Sequence, residues 1–194
     1  MKSIYPYFAI TTLLFFIGFH SLNAQEPIRV AAASDLKFAL DDIIEAYTQG
    51  TGKRVVPIYG SNKAPFHLYM SADVEYPKML IEKEMSGSEL HIYGEGRLVL
   101  WSRKFDCDAA TLEGLSQLDL KKIAIANPNH APYGMRAKES LEYYKLYDTI
   151  RSKIVLGENI SQTAQFLSTG AADVGIIALS LALSPTMKKY GKGY

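Results

Sequence analysis

Four turns in this sequence could hold a small anion between them. Ser34 closes the run Val30-Ala31-Ala32-Ala33, and Ser61 and Asn62 close Tyr59-Gly60-Ser61-Asn62. Tyr133 stands in Ala131-Pro132-Tyr133-Gly134 and Ile160 in Asn159-Ile160-Ser161, each just before a helical pattern. Hydroxyls at strand ends and the unpaired N–H groups of helix beginnings are neutral donors that suit an anion. Taken singly, Ser34 is a helix cap, Ser61 a turn residue, Tyr133 a packing aromatic and Ile160 an apolar staple. The recurrence of one arrangement suggests a site assembled from distant parts of the chain.

Hydrophobic spacing indicates the elements that would position these turns. Ile28 to Ala33 reads as a buried strand of small side chains, with Ser34 as the N-cap that follows it directly. Leu36, Ala39, Leu40, Ile43, Ile44 and Tyr47 then recur at helical spacing. Gly50-Thr51-Gly52 stops that helix, and Lys53 to Tyr59 is a second strand whose Pro57 favours an edge or strand-end position. Phe66 to Met70 is a third strand with His67 packed inside it, and Ser71-Ala72-Asp73 leads into a helix that Asp73 caps. His91 to Tyr93 and Leu98 to Ser102 are expected as short strands, the latter crossing between two lobes, and Thr111 to Leu118 as helix. Further strands fall at Lys122 to Ala126, Lys153 to Leu156 and Val174 to Ile177. Helices run from Tyr133 or Gly134 to about Leu146 and from Ser161 to Ser168. Such alternation implies an α/β fold with mainly parallel sheets.

Composition narrows the function classes. The 194 residues carry a net charge of +1 and 21% charged residues. No basic run exceeds a Lys-Lys pair, which argues against a nucleic-acid surface. Lys2, the apolar stretch Phe8 to Phe19 and Leu22-Asn23-Ala24 read as a secretory signal peptide, residues 1–24, too short to span a bilayer. Cys107 is the single cysteine and lies between Asp106 and Asp108, a bystander that can form no internal disulfide. His67, His91 and His130 are far apart and lack metal-ligand spacing. Gly114-Leu115-Ser116-Gln117-Leu118 lacks the second glycine of a nucleophile elbow. Nothing here assembles a catalytic constellation, so an enzyme such as a hydrolase is not expected.

An ordered set of segments carries a family likeness. It comprises Ala31-Ala32-Ala33-Ser34, Tyr59-Gly60-Ser61-Asn62, Ala64-Pro65-Phe66-His67-Leu68-Tyr69-Met70-Ser71-Ala72-Asp73 and Gly96-Arg97-Leu98-Val99-Leu100-Trp101-Ser102. Ile125-Ala126-Asn127-Pro128, Ala131-Pro132-Tyr133-Gly134 and Ala172-Asp173-Val174-Gly175 complete it. In this set the chain resembles the periplasmic molybdate-binding proteins of ABC transporters, within the type II periplasmic binding proteins. The resemblance implies a two-lobed fold, with lobe I at 25–97, lobe II at 98–178 and 179–194 as a shortened return toward lobe I. It implies a periplasmic monomer without cofactor, whose ligand is molybdate or tungstate and whose partners are a membrane permease and an ATPase. Carried over by position, Ser34 supplies a hydroxyl and a backbone donor, Ser61 or Asn62 fills the second turn, and Tyr133 and Ile160 give backbone N–H groups. No residue would coordinate the metal directly. Two departures stand out: the helix that relatives place after the second serine turn is missing beyond Asn62, and the C-terminal return segment is absent. Ala178 stands where some relatives add a tyrosine hydroxyl. Two alternatives stay open, a receptor for another oxyanion such as sulfate and a degenerate or truncated member with impaired binding.

Molybdate is a tetrahedral dianion with no proton to give at neutral pH, so its host should offer donors and no exposed acceptor. A cavity set for it leaves the smaller sulfate with stretched hydrogen bonds. A protonated phosphate would be left with an unpaired O–H there. Asp35, negative and next to Ser34, is therefore expected to point away, toward Lys37 or solvent.

Overall fold

The computed structural model describes residues 26–60, 65–105 and 111–193. The expected signal peptide at 1–24, together with Ser61, Asn62 and Cys107, lies outside the described residues.

β1 (Ile28–Ala32) buries Val30, Ala31 and Ala32 because a strand flanks it on either side. β2 (Val55–Tyr59) and β3 (Leu68–Met70) both run parallel to it, in the order β2-β1-β3. Pro57 lies on β2, an edge strand, as its missing donor requires. α1 (Lys37–Thr51) lays Leu40 on this sheet and ends at Gly52, whose φ of 69° is the left-handed cap that glycine adopts without strain. Gly50 therefore belongs to the helix, and Gly52 alone stops it. The apolar stripe of α1 is wider than the sheet beneath it: Leu40 is 6% exposed, but Ile43 is 61% exposed.

The link from β2 to β3 occupies residues 60–67 and holds no helix among the described residues. Leu68 stands level with Val30, and Val30 with Pro57. His67 is not packed inside a strand. It is exposed just ahead of β3, and its Nδ1 accepts from the Arg29 N–H at 3.0 Å, a side chain standing in for a ladder carbonyl. α2 (Glu75–Glu82) follows, with Asp73 Oδ1 accepting from the N–H groups of Glu75 and Tyr76 at 3.1 and 3.2 Å, the cap expected of it. His91 to Tyr93 forms no strand; this short alternation between Gly87 and Gly94 meets no free strand edge, and Ile92 stays exposed.

The second sheet has the order β6-β5-β7-β4-β8, from β4 (Leu98–Ser102), β5 (Ile123–Ala126), β6 (Ile154–Gly157), β7 (Val174–Ala178) and β8 (Lys192–Gly193). β5 is parallel to β6 and β7, while β4 runs antiparallel to β7 and β8. Every residue of β5 and β7 is buried, as unbroken apolar runs between covered faces should be. Successive side chains alternate between two clusters, one around Trp101, Leu167 and Ile177 and one around Ile123, Ile125 and Leu141. The helices on this sheet are α3 (Pro132–Tyr143), α4 (Tyr147–Ile150), α5 (Ile160–Thr169), α6 (Leu179–Ala182) and α7 (Pro185–Tyr190). Thr111 to Leu118 shrinks to a 3-10 turn, Glu113–Ser116, which seats Leu115 in the core; Gly114 within it disfavours a longer helix. In the segment read as the return, β8 pairs with β4, and Ser180 on α6 reaches the first sheet's turn at Asp35. The architecture is α/β with mainly parallel pairing.

Candidate functional site

The chain does not pass straight from β1 into a helix capped by Ser34. A 3-10 turn, Ser34–Leu36, intervenes, with Ala33 at its extended start and no side-chain cap. Leu36 packs on the first sheet's small core, and the tighter turn brings it there. At the far wall, α3 opens with Pro132 after an extended Ala131, which leaves the Tyr133 N–H without an intrahelical partner. A Cβ on Gly134 would collide with the Ala126 carbonyl oxygen, so only glycine lets this helix begin hard against the end of β5. α5 opens at Ile160, and Asn159 Oδ1 caps it by accepting from the Gln162 N–H at 3.0 Å.

Ser34, Tyr133 and Ile160 thereby line one cleft of about 430 Å³, with Gly60 at its rim. Three of the four expected turns meet there, the second represented by Gly60 because Ser61 and Asn62 are not among the described residues. Far more than one small ion fits this volume, so the walls stand apart. Among the described residues no lysine or arginine lines it; the ionisable lining there is Asp35, His130 and Glu158 with Tyr69, Tyr76 and Tyr133. Donor capacity therefore comes from backbone N–H groups and hydroxyls.

Asp35 corrects the sequence reading. It is 6% exposed, its Oδ2 accepts from the Tyr133 hydroxyl at 2.8 Å, and its buried Oδ1 has no partner. Lys37 turns instead to Asp41 on its own helix, at 3.1 Å. The 3-10 turn is the cause, because it rotates residue 35 inward where a helix starting at Ser34 would have turned it out. Burial pushes the Asp35 carboxyl up, against the opposing effect of the Tyr133 hydrogen bond. Burial and the neighbouring Asp35 raise the Tyr133 hydroxyl far above its ordinary value, so it remains a donor. Gly96 makes room for that phenol: a Cβ there would lie 2.5 Å from Tyr133 Oη.

Two more side chains from the second sheet hold the same turn. Ser161 Oγ donates to the Ser34 carbonyl at 3.0 Å, and Ser180 Oγ donates to the Asp35 carbonyl at 3.1 Å. At the cleft wall, His130 Nε2 lies 2.8 Å from the Glu158 carbonyl oxygen and 3.4 Å from its carboxylate. Sequence did not single out Ser161 or Ser180 as holding this turn, nor His130 or Glu158 as lining the cleft. The one available signal was position, since Ser161 follows Ile160 and His130 precedes the Ala131 turn.

Residues 28–193 match the family model described as bacterial extracellular solute-binding protein. The chain is 33% identical over 184 residues to the molybdate-binding protein ModA of Rhodobacter capsulatus, covering 88% of this chain and 71% of that protein. It is 34% identical over 182 residues to the molybdate-binding protein ModA of Azotobacter vinelandii, with 86% and 70% covered. Among solved structures, the Azotobacter vinelandii periplasmic molybdate-binding protein superposes with a TM-score of 0.75 at 30% identity, covering 86% of this chain and 77% of that one. A sheet-spanning cleft walled by helix beginnings, on a chain this similar from end to end of the match, leaves one assignment: this protein belongs to the bacterial extracellular solute-binding protein family.

Proposed function

We propose that this protein captures molybdate, or tungstate, in the cleft between its two sheets and delivers it to an ABC importer made of a membrane permease and an ATPase. The observation that carries the reading is the meeting of Ser34, Tyr133 and Ile160, from three distant stretches, on one cleft with no lysine or arginine among its described residues. The likeness to proteins named for molybdate binding supports the choice of ion. In this reading Ser34 gives its hydroxyl and N–H, Tyr133 and Ile160 give backbone N–H groups at helix beginnings, and Ser61 or Asn62 adds the donor of the second turn. The lobes are 25–97 and 98–178, with 179–194 leading back toward the first, and the ion is bound outside the cytoplasm by a monomer. Catalysis has no part in it, so the ion should leave unchanged.

A thermal-shift panel of molybdate, tungstate, sulfate and phosphate tests the reading. An ion at a hundred times its Kd stabilises the folded chain by about 2.7 kcal/mol. The expected result is a comparable rise in Tm with molybdate and tungstate and a much smaller one with sulfate or phosphate. Equal shifts with all four would make this a general anion surface, and none at all would remove the function.

A further inference from the structure

Asp35 is a buried carboxyl in a cleft built from donors. Its Oδ2 takes the Tyr133 hydroxyl, its Oδ1 has no partner, and it lines the same cleft as Ser34. No positive side chain among the described residues meets it. On α1, Lys37 is committed to Asp41. On α3, Arg136 pairs with Glu139 at 2.6 Å and Lys138 with Glu142 at 3.5 Å. α5 and α6 carry no ionisable side chain. From the segment before β4, Tyr93 donates its hydroxyl to the Ser71 carbonyl at 2.7 Å; burial and the Asp35 and Tyr69 charges push it up to about 12. Tyr69 and Tyr76 stand on the same wall, and His130 faces Glu158 across 3.4 Å.

A carboxylate and a dianion held in one cleft repel each other, and no cation among the described residues lines that cleft to screen them. We propose, resting on the oxyanion reading of this cleft, that binding there takes up one proton, which sits on the buried Asp35 carboxyl at the wall of that cleft. The balance is simple: carboxylate, proton and dianion combine, no covalent bond to the ion forms, and release of the ion returns the proton to water. A proton on Oδ1 removes the charge from a buried oxygen that has no partner, while Oδ2 continues to accept from Tyr133. The burial of Asp35 already favours its neutral form in the free protein. Above the pH at which Asp35 titrates in the free protein, affinity falls about tenfold per pH unit; below it the dependence disappears.

The test is calorimetric titration of the whole chain with sodium molybdate just above neutral pH, repeated in buffers of different ionisation enthalpy. The expected heat varies with buffer and reports up to about one proton taken up per ion. Asp35→Asn keeps the shape and the acceptor for Tyr133 and should bind with no proton uptake. His130→Gln, which removes the imidazole on the wall, should retain the uptake. Buffer-independent heat in the unaltered chain overturns the proposal, as does undiminished uptake in Asp35→Asn or its loss in His130→Gln alone. If Asp35→Asn does not fold, the unaltered chain and His130→Gln decide between them. No heat with molybdate or tungstate in any buffer would instead defeat the oxyanion reading itself.

Discussion

The two sheets of this protein achieve burial in different ways. In the five-stranded sheet, β5 and β7 are covered on both faces, and two apolar clusters lie on opposite sides of them. In the three-stranded sheet the buried core is Val30, Ala32 and Leu40, and both edge strands remain partly open to water. The larger sheet can carry its own stability. The smaller one holds its Ser34–Leu36 turn with help from outside, through hydrogen bonds from Tyr133, Ser161 and Ser180. Mutations in the two regions should therefore differ in kind, stability on one side and ion binding on the other.

The largest effect belongs in the larger core. Leu141→Ala, at a fully buried site, should cost about 2–5 kcal/mol in a cooperative melt. Val55→Ala on the half-open β2 should cost about 1 kcal/mol or less. Equal losses would erase the contrast between the sheets. Gly134→Ala comes next, because its methyl would meet backbone of Ala126 and Asn127 rather than movable side chains, and about 1–3 kcal/mol should be lost. A third test is Asp173→Asn. Asp173 takes the Lys104 ammonium at 2.6 Å and the N–H groups of Lys121 and Lys122 at 2.8 and 3.0 Å, and Lys104 first of all holds its carboxyl down at about 2.

The sign of that third effect follows from the depressed value. The contribution of Asp173 is present above the ordinary carboxylate range and is lost as pH falls toward about 2. Asp173→Asn should therefore lower Tm near neutral pH, by about 1–2 kcal/mol in stability, and differ little from the unaltered chain in strong acid. Ser34→Ala should leave the melt almost unchanged and weaken molybdate binding about tenfold, the loss of one hydroxyl donor. Calorimetry on Lys78→Ala, at a surface pair with Glu75, gives the comparison for binding. Smallest of all, Lys37→Ala breaks an exposed pair on α1 and should shift stability by less than about 0.5 kcal/mol.

Much of this contrast could be read from the chain. Ile123–Ala126 and Val174–Ala178 are apolar without alternation, the mark of strands covered on both faces, and their positions agree with the sequence reading to within a residue. Asp73 announced its cap, and Pro57 its edge. Of the turns expected to hold an ion, those at Ser34, Tyr133 and Ile160 each follow a strand and line one cleft. What stayed hidden depended on three-dimensional placement. Asp35 was expected to point away because a donor-built site should expose no acceptor, whereas on the 3-10 turn it is buried and its Oδ2 accepts from Tyr133. His67 looked like a strand residue because its neighbours are apolar, yet the strand begins one residue later. Serines 161 and 180 gave no sign of reaching across, because each contacts a carbonyl more than a hundred residues away.

The most direct test of the central claim is a crystal structure of the protein grown with molybdate. The account requires the ion in the cleft between the two sheets, its oxygens taking the Ser34 hydroxyl from one side and the N–H groups of Tyr133 and Ile160 from the other. An ion bound anywhere else, or a cleft left without one at saturating molybdate, would contradict it.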